Sequence, residues 1–203
     1  MKTDARKITV TAMLSAVAFL LMFVEFPIPI MPSFIKMDIC DLPALLGAFA
    51  LGPVSGIAIE FIKNLLHILI KGTTSAGVGE LSNFVLGCCM VVPAAIIYKK
   101  GKTRKSAIIA SVVGCVVMAV CSLPVNYFVV YPAYVKFYGL PLEAIIGMYQ
   151  AINPNVNGLF ACLLIFNVPF TFCKGLLDAL VCYFIYKPLS PVLHGNIRKK
   201  TDA

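Results

Sequence analysis

The chain has 203 residues, of which 60% are hydrophobic and only 13% charged, with a mean hydropathy of +0.93 and a formal net charge of +8. An ordinary soluble domain carries about 25% charged residues, so that class is excluded. No stretch is long or polar enough for a second domain, and residues 1–203 are predicted to form a single all-α integral membrane domain.

The basic tip Lys2, Arg6 and Lys7 precedes an apolar run over 8–26. No small-residue cleavage site follows it directly, so a retained first helix is expected rather than a signal peptide. Ala12 and Ala16, with Ser15 beside them, make a small-residue patch that lets another helix approach closely, either a partner's or one of its own. Residues 27–41 combine Pro27, Pro29 and Pro32 with Lys36, Asp38 and Asp41, beside apolar Met31, Phe34, Ile35 and Met37. A solvated connector needs no such apolar content. This segment reads as a lid folded over something beneath it, the alternative being a loop lying on lipid headgroups.

Further apolar stretches cover 42–51, 54–70, 81–98, 106–131 and 159–187. The first of these is too short to cross a bilayer upright and could merge with the next. Charge decides the count. Basic clusters at Lys2/Arg6/Lys7, at Lys99, Lys100, Lys102, Arg104 and Lys105, and at Lys187 with Arg198, Lys199 and Lys200 all belong in the cytoplasm, so an even number of crossings separates each pair. Breaking 42–70 at Gly52-Pro53 satisfies that rule. Six transmembrane helices are predicted, with both termini cytoplasmic and a short second helix.

This topology places polar groups at similar depth near the outer side. Asn167, Thr171, Lys174 and Asp178 follow spacings of four, three and four along one helical face. An ionisable group at membrane depth costs roughly 2.5–3.5 kcal/mol, so such a face should look into the protein. Asp178 is a candidate to hold the Lys174 charge. Glu80 and Asn83 open the fourth segment, and Asn126 and Tyr127 lie near the outer end of the fifth. Glu60, Lys63, Asn64 and His67 share a face of the third, where Glu60 either pairs with its neighbours or serves a site. Apolar walls with a few placed donors and acceptors make a site for a polar small molecule.

Motifs for catalysis are missing: there is no GxSxG, no HExxH and no paired-aspartate motif. Lys100-Gly101-Lys102-Thr103 resembles the end of a P-loop, but Ile96 stands where its earlier glycine is required. Asn153-Pro154-Asn155 reads as a turn. The eight cysteines contain no CxxC pair and read as small buried hydrophobes, and the two histidines lack metal-ligand spacing, so no metal is expected. No enzyme activity is predicted. A binding protein that takes energy from a partner leads, with a self-sufficient carrier or channel as the alternative and an intramembrane enzyme third.

The run Phe34-Ile35-Lys36-Met37-Asp38-Ile39-Cys40-Asp41-Leu42-Pro43, the break Gly52-Pro53-Val54-Ser55-Gly56, Lys63-Asn64-Leu65-Leu66, Asn83-Phe84, Asn126-Tyr127-Phe128 and Pro169-Phe170-Thr171-Phe172-Cys173-Lys174-Gly175 resemble, in order and spacing, the riboflavin-specific substrate-binding (S) subunit of energy-coupling factor (ECF) transporters. The resemblance runs from Ile8 to Pro188. It implies a six-helix fold, a bacterial cell membrane location and riboflavin as a transported ligand rather than a cofactor. It also implies a membrane coupling (T) subunit with two ATP-binding-cassette ATPases as partners, and no nucleic acid.

Carried over residue by residue, the family's polar ligand contacts fall on Asn126 and Lys174. Thr171 stands where relatives often have asparagine, which leaves open a shift toward the mononucleotide, and Asn167 could compensate. Met37, Asp38, Phe34, Tyr127 and Tyr131 are expected around the flavin, with Glu80 and Asn83 as candidates for its hydroxylated chain. The Ala12, Ser15 and Ala16 patch is expected to contact the coupling subunit.

Overall fold

A computed structural model describes residues 2–32, 35–73, 76–139 and 141–194. Phe34 and the Arg198–Lys200 cluster lie outside the described residues. The chain is almost wholly helical. Helix α1 spans Lys2–Leu21, and a two-stranded antiparallel ribbon pairs β1, Phe26–Pro27, with β2, Lys36–Met37. Helix α1 thus stops short of the expected limit at 26. Pro27 drives the residue before it into extended backbone, and the ribbon takes up that segment.

Helix α2 (Leu42–Leu51) follows, then α3 (Pro53–Lys71) and α4 (Val78–Gly101). The break between α2 and α3 rests on Gly52, whose φ of +101° suits a residue without Cβ, and on Pro53, which is tolerated in the first turn of α3. Short as it is, α2 is the centre of the bundle: it packs against α1, α3, α4 and α9, and it buries Leu42 through Phe49. Leu45, Leu46, Leu86, Met90, Cys115 and Met118 share its main apolar core.

Helix α5 (Arg104–Val125) continues through a π-helical turn at Asn126–Val130 into α6 (Tyr131–Tyr138). The outer connection expected at 132–158 is therefore partly helical, holding α6 and α7 (Leu142–Gln150). Pro132 is accommodated there because it falls in the first turn of α6. The last element begins with α8 (Leu159–Cys162), passes a second π turn at Leu163–Asn167 and runs on as α9 (Val168–His194).

Four helical stretches, Pro53–Lys71, Val78–Gly101, Arg104–Phe137 and Leu159–Tyr186, are long and apolar enough to cross a membrane. Their outward faces carry large apolar side chains such as Phe61, Ile96, Val120, Phe128 and Phe184. That is the surface a bilayer accepts.

Candidate ligand-binding site

At the end of the bundle where α2, α4 and α9 begin and α5 ends lies a cavity of about 210 Å³. Asp38 and Asp41 reach it from the segment before α2, Asn83 from α4, Asn126 from α5, and Asn167, Thr171 and Lys174 from α9 and its π turn. Leu86, Met118, Val130 and Phe170 supply apolar wall.

Asn126 and Asn167 sit on π turns. Asn126 opens one, closed by the Tyr131 N–H donating to the Asn126 carbonyl. Asn167 ends the other, where the Val168 N–H donates to the Leu163 carbonyl. Prolines 124, 132 and 169 flank these turns and lack the N–H that an uninterrupted α-ladder requires there. The wider turn lets the chain change its hydrogen-bonding register without ending the helix, a device common at functional sites.

A network of buried charge underlies one wall. Lys174 Nζ lies 3.1 Å from Asp38 Oδ1 and 3.1 Å from Asp41 Oδ2. Lys63 pairs with the other oxygen of Asp41 and stands 2.7 Å from Glu60 Oε2. Two lysines and three carboxylates thus join α3, α9 and the segment before α2. Burial would push the Asp41 carboxyl up, but the Lys174 and Lys63 ammoniums outweigh it and hold the group well below the usual carboxylate range. Gly87 makes room for Glu60, since a Cβ there would overlap the carboxylate.

Asp178 does not pair with Lys174. The lysine's carboxylate partners come from the segment before α2, and the Asp178 oxygens are buried without a hydrogen-bond partner among the described residues. Sequence spacing favoured the neighbour one turn away, whereas the segment before α2 delivers two carboxylates to the same ammonium.

The remaining predicted positions separate into groups. Tyr131 lines the cavity with only 1% of its surface exposed, and its hydroxyl is bonded to that of Tyr149 and accepts from Asn167 Nδ2 at 3.3 Å. The Tyr149 hydroxyl donates to Asn167 Oδ1 at 2.7 Å. Asn167 is therefore engaged by tyrosines, which limits its capacity to stand in for an asparagine at 171. Tyr149, on a connection expected to be plain loop, was missed by sequence reasoning. Its place in the amphipathic pattern of α7, with Ile145 one turn away, is the signal that would have found it.

Asn83 Oδ1 is buried without a hydrogen-bond partner among the described residues. Met37, Glu80 and Tyr127 lie outside the cavity lining. Met37 is buried, Glu80 pairs with His67 at 3.1 Å and accepts from Thr73 at 3.0 Å, and Tyr127 is partly exposed with its ring edge-on to Phe160. On α1, Ser15 is buried and donates to the Thr11 carbonyl at 2.8 Å, while Ala12 and Ala16 are exposed.

Comparison with known proteins places these features. Residues 6–186 match the family described as ECF transporter, substrate-specific component. The chain is 32% identical to the riboflavin transporter FmnP of Bacillus subtilis, over 92% of this chain and 93% of that one. It is 34% identical to the riboflavin transporter RibU of Staphylococcus aureus, over 95% and 94%. A solved structure of the S component of a bacterial ECF transporter superposes with a TM-score of 0.71 at 31% identity, covering 94% of this chain and 98% of that one. The chain belongs to the family of substrate-specific components of ECF transporters.

Proposed function

We propose that this protein captures riboflavin at the outer face of a bacterial cell membrane and hands it inward by docking on an energised coupling subunit. Six membrane-crossing segments, counting α1 and the short α2, put both termini in the cytoplasm by the positive-inside rule. The basic turn 99–105 then lies inside and the cavity lies toward the outside. ATP hydrolysis falls to the two ATPases of the partner module.

The observation that carries this reading is the cavity in which Asn83, Asn126, Thr171 and Lys174 converge among apolar walls. A flavin offers a flat apolar ring with carbonyl and N–H edges. Asn126 supplies a paired donor and acceptor for such an edge, Thr171 a single hydroxyl, and Asn83 Oδ1 a waiting acceptor. At about 210 Å³ the cavity is below the roughly 300–1,000 Å³ of sites that hold drug-sized ligands. The ribbon strand β2 and the residues from it to α2 therefore move outward to admit the vitamin, acting as the lid expected over 27–41.

The same charges favour riboflavin over its phosphate. Lys174 already faces Asp38 and Asp41, so a phosphate brought there would meet two carboxylates for one ammonium. The test is titration of detergent-purified protein with riboflavin and with the mononucleotide, read by quenching of the flavin's own fluorescence, since the chain has no tryptophan. Saturable quenching by riboflavin, stronger than by the mononucleotide, is expected. No response to either flavin would overturn the proposal.

A further inference from the structure

A second and larger cavity, about 690 Å³, opens at the other end of the bundle. It is lined by the end of α4, the first turns of α5 and the later part of α9, whereas the ligand cavity uses the opposite ends of these helices. Small side chains, Ala107, Ser111 and Ala179, line it together with the large exposed ones Ile108, Leu180 and Phe184 from α5 and α9. At its mouth the tight turn Lys102-Thr103-Arg104 joins α4 to α5. Thr103 fixes that turn by accepting the Ser106 N–H at 3.1 Å, and Lys102 and Arg104 are exposed. Lys99, Lys100 and Lys105 flank them, and no acidic side chain is among the lining residues.

An apolar groove in a membrane-spanning surface with a cationic mouth has the polarity of one lipid molecule. We propose that it binds an anionic phospholipid, with an acyl chain lying between α5 and α9 and the phosphate at Lys102 and Arg104. A flexible chain passes between Ile108, Leu180 and Phe184. A partner helix, about 10 Å thick, needs small residues on the rims to approach closely, and here the rims carry the bulk. Charge complementarity selects the headgroup, because juxtamembrane basic residues attract anionic lipid by about 1 kcal/mol each. This site rests on the membrane-spanning fold and is independent of which vitamin the other cavity holds.

Native mass spectrometry of the detergent-purified chain, titrated with phosphatidylglycerol and phosphatidylcholine of identical oleoyl chains, tests it. Phosphatidylglycerol is expected to be retained preferentially. The double variant Lys102→Gln, Arg104→Gln should weaken its binding about 10- to 30-fold and leave phosphatidylcholine unchanged. Ala107→Phe, which fills the groove, should lower retention of both lipids; an unchanged thermal midpoint in each variant certifies the fold. Equal affinity for the two headgroups, or undiminished phosphatidylglycerol binding in the charge variant, would overturn the proposal. So would unchanged lipid affinity in these same groove variants together with lost binding to the coupling module, because the groove would then belong to that partner.

Discussion

Lys63 and Lys174 both touch Asp41, but they sit differently with respect to the cavity. Lys63 is fully buried outside the cavity lining and meets the carboxylates of Asp41 and Glu60 and, at 3.2 Å, the Cys40 sulfur, whereas Lys174 is part of the wall. Lys63→Ala strands the buried Glu60 carboxylate and leaves Asp41 with Lys174 alone, and removal of one partner of a buried pair costs about 3–5 kcal/mol. A large fall in the thermal unfolding midpoint of the empty protein is the expected outcome. Asn126→Ala removes a wall amide outside this network. It should weaken riboflavin binding about 10- to 100-fold, matching the roughly 1–3 kcal/mol of a buried group left unmatched, with the midpoint of the empty protein nearly unchanged. Lys174→Ala should show both effects, and unchanged flavin affinity in both Asn126→Ala and Lys174→Ala would refute the site.

Elements divide into those the sequence made legible and those it did not. The Gly52-Pro53 break was legible because glycine and proline are local punctuation, and the charge rule demanded a break at that place. The π turns at 126–130 and 163–167 were not, since no periodicity in apolar residues marks an extra residue in a turn; only the prolines nearby hinted at it. The engagement of Lys174 by Asp38 and Asp41 was hidden for another reason. Those carboxylates lie more than a hundred residues earlier, and an i, i+4 neighbour, Asp178, competed for the assignment. Helix α1 presents Ala12 and Ala16 outward while Ser15 turns into the bundle. Ala12→Trp therefore adds bulk on an exposed face. It should leave riboflavin binding intact and block uptake in cells, and loss of binding in the purified variant would make that face part of the internal packing.

Across the whole molecule, loss of stability in acid follows from Glu25 and Asp41, which lie between α1 and α2. Asp41 is held below its ordinary value by Lys174 and Lys63 against the cost of burial. Glu25 is also lowered: burial works against it, and its bond to Lys36 with the charge of Lys71 prevails. For a group whose folded-state value is depressed, the stabilisation is complete above the unfolded value, about 4, and is lost as pH falls below it. The thermal midpoint should therefore drop between pH 5 and 3.5. A midpoint that instead rises across that interval would contradict this account of the ion pairs. The proposed lid has two fastenings of unlike kind. Glu25 meets Lys36 at 2.6 Å and Lys71 at 3.6 Å in the open, with the Lys36 side chain 42% exposed, while Asp38 and Asp41 meet Lys174 in the interior. Exposed pairs contribute little and fade as salt shortens the Debye length, but enclosed pairs are scarcely screened. Concentrated salt would thus fray the hem of the lid and leave its anchor holding, so a captured vitamin would stay as long in brine as in fresh water.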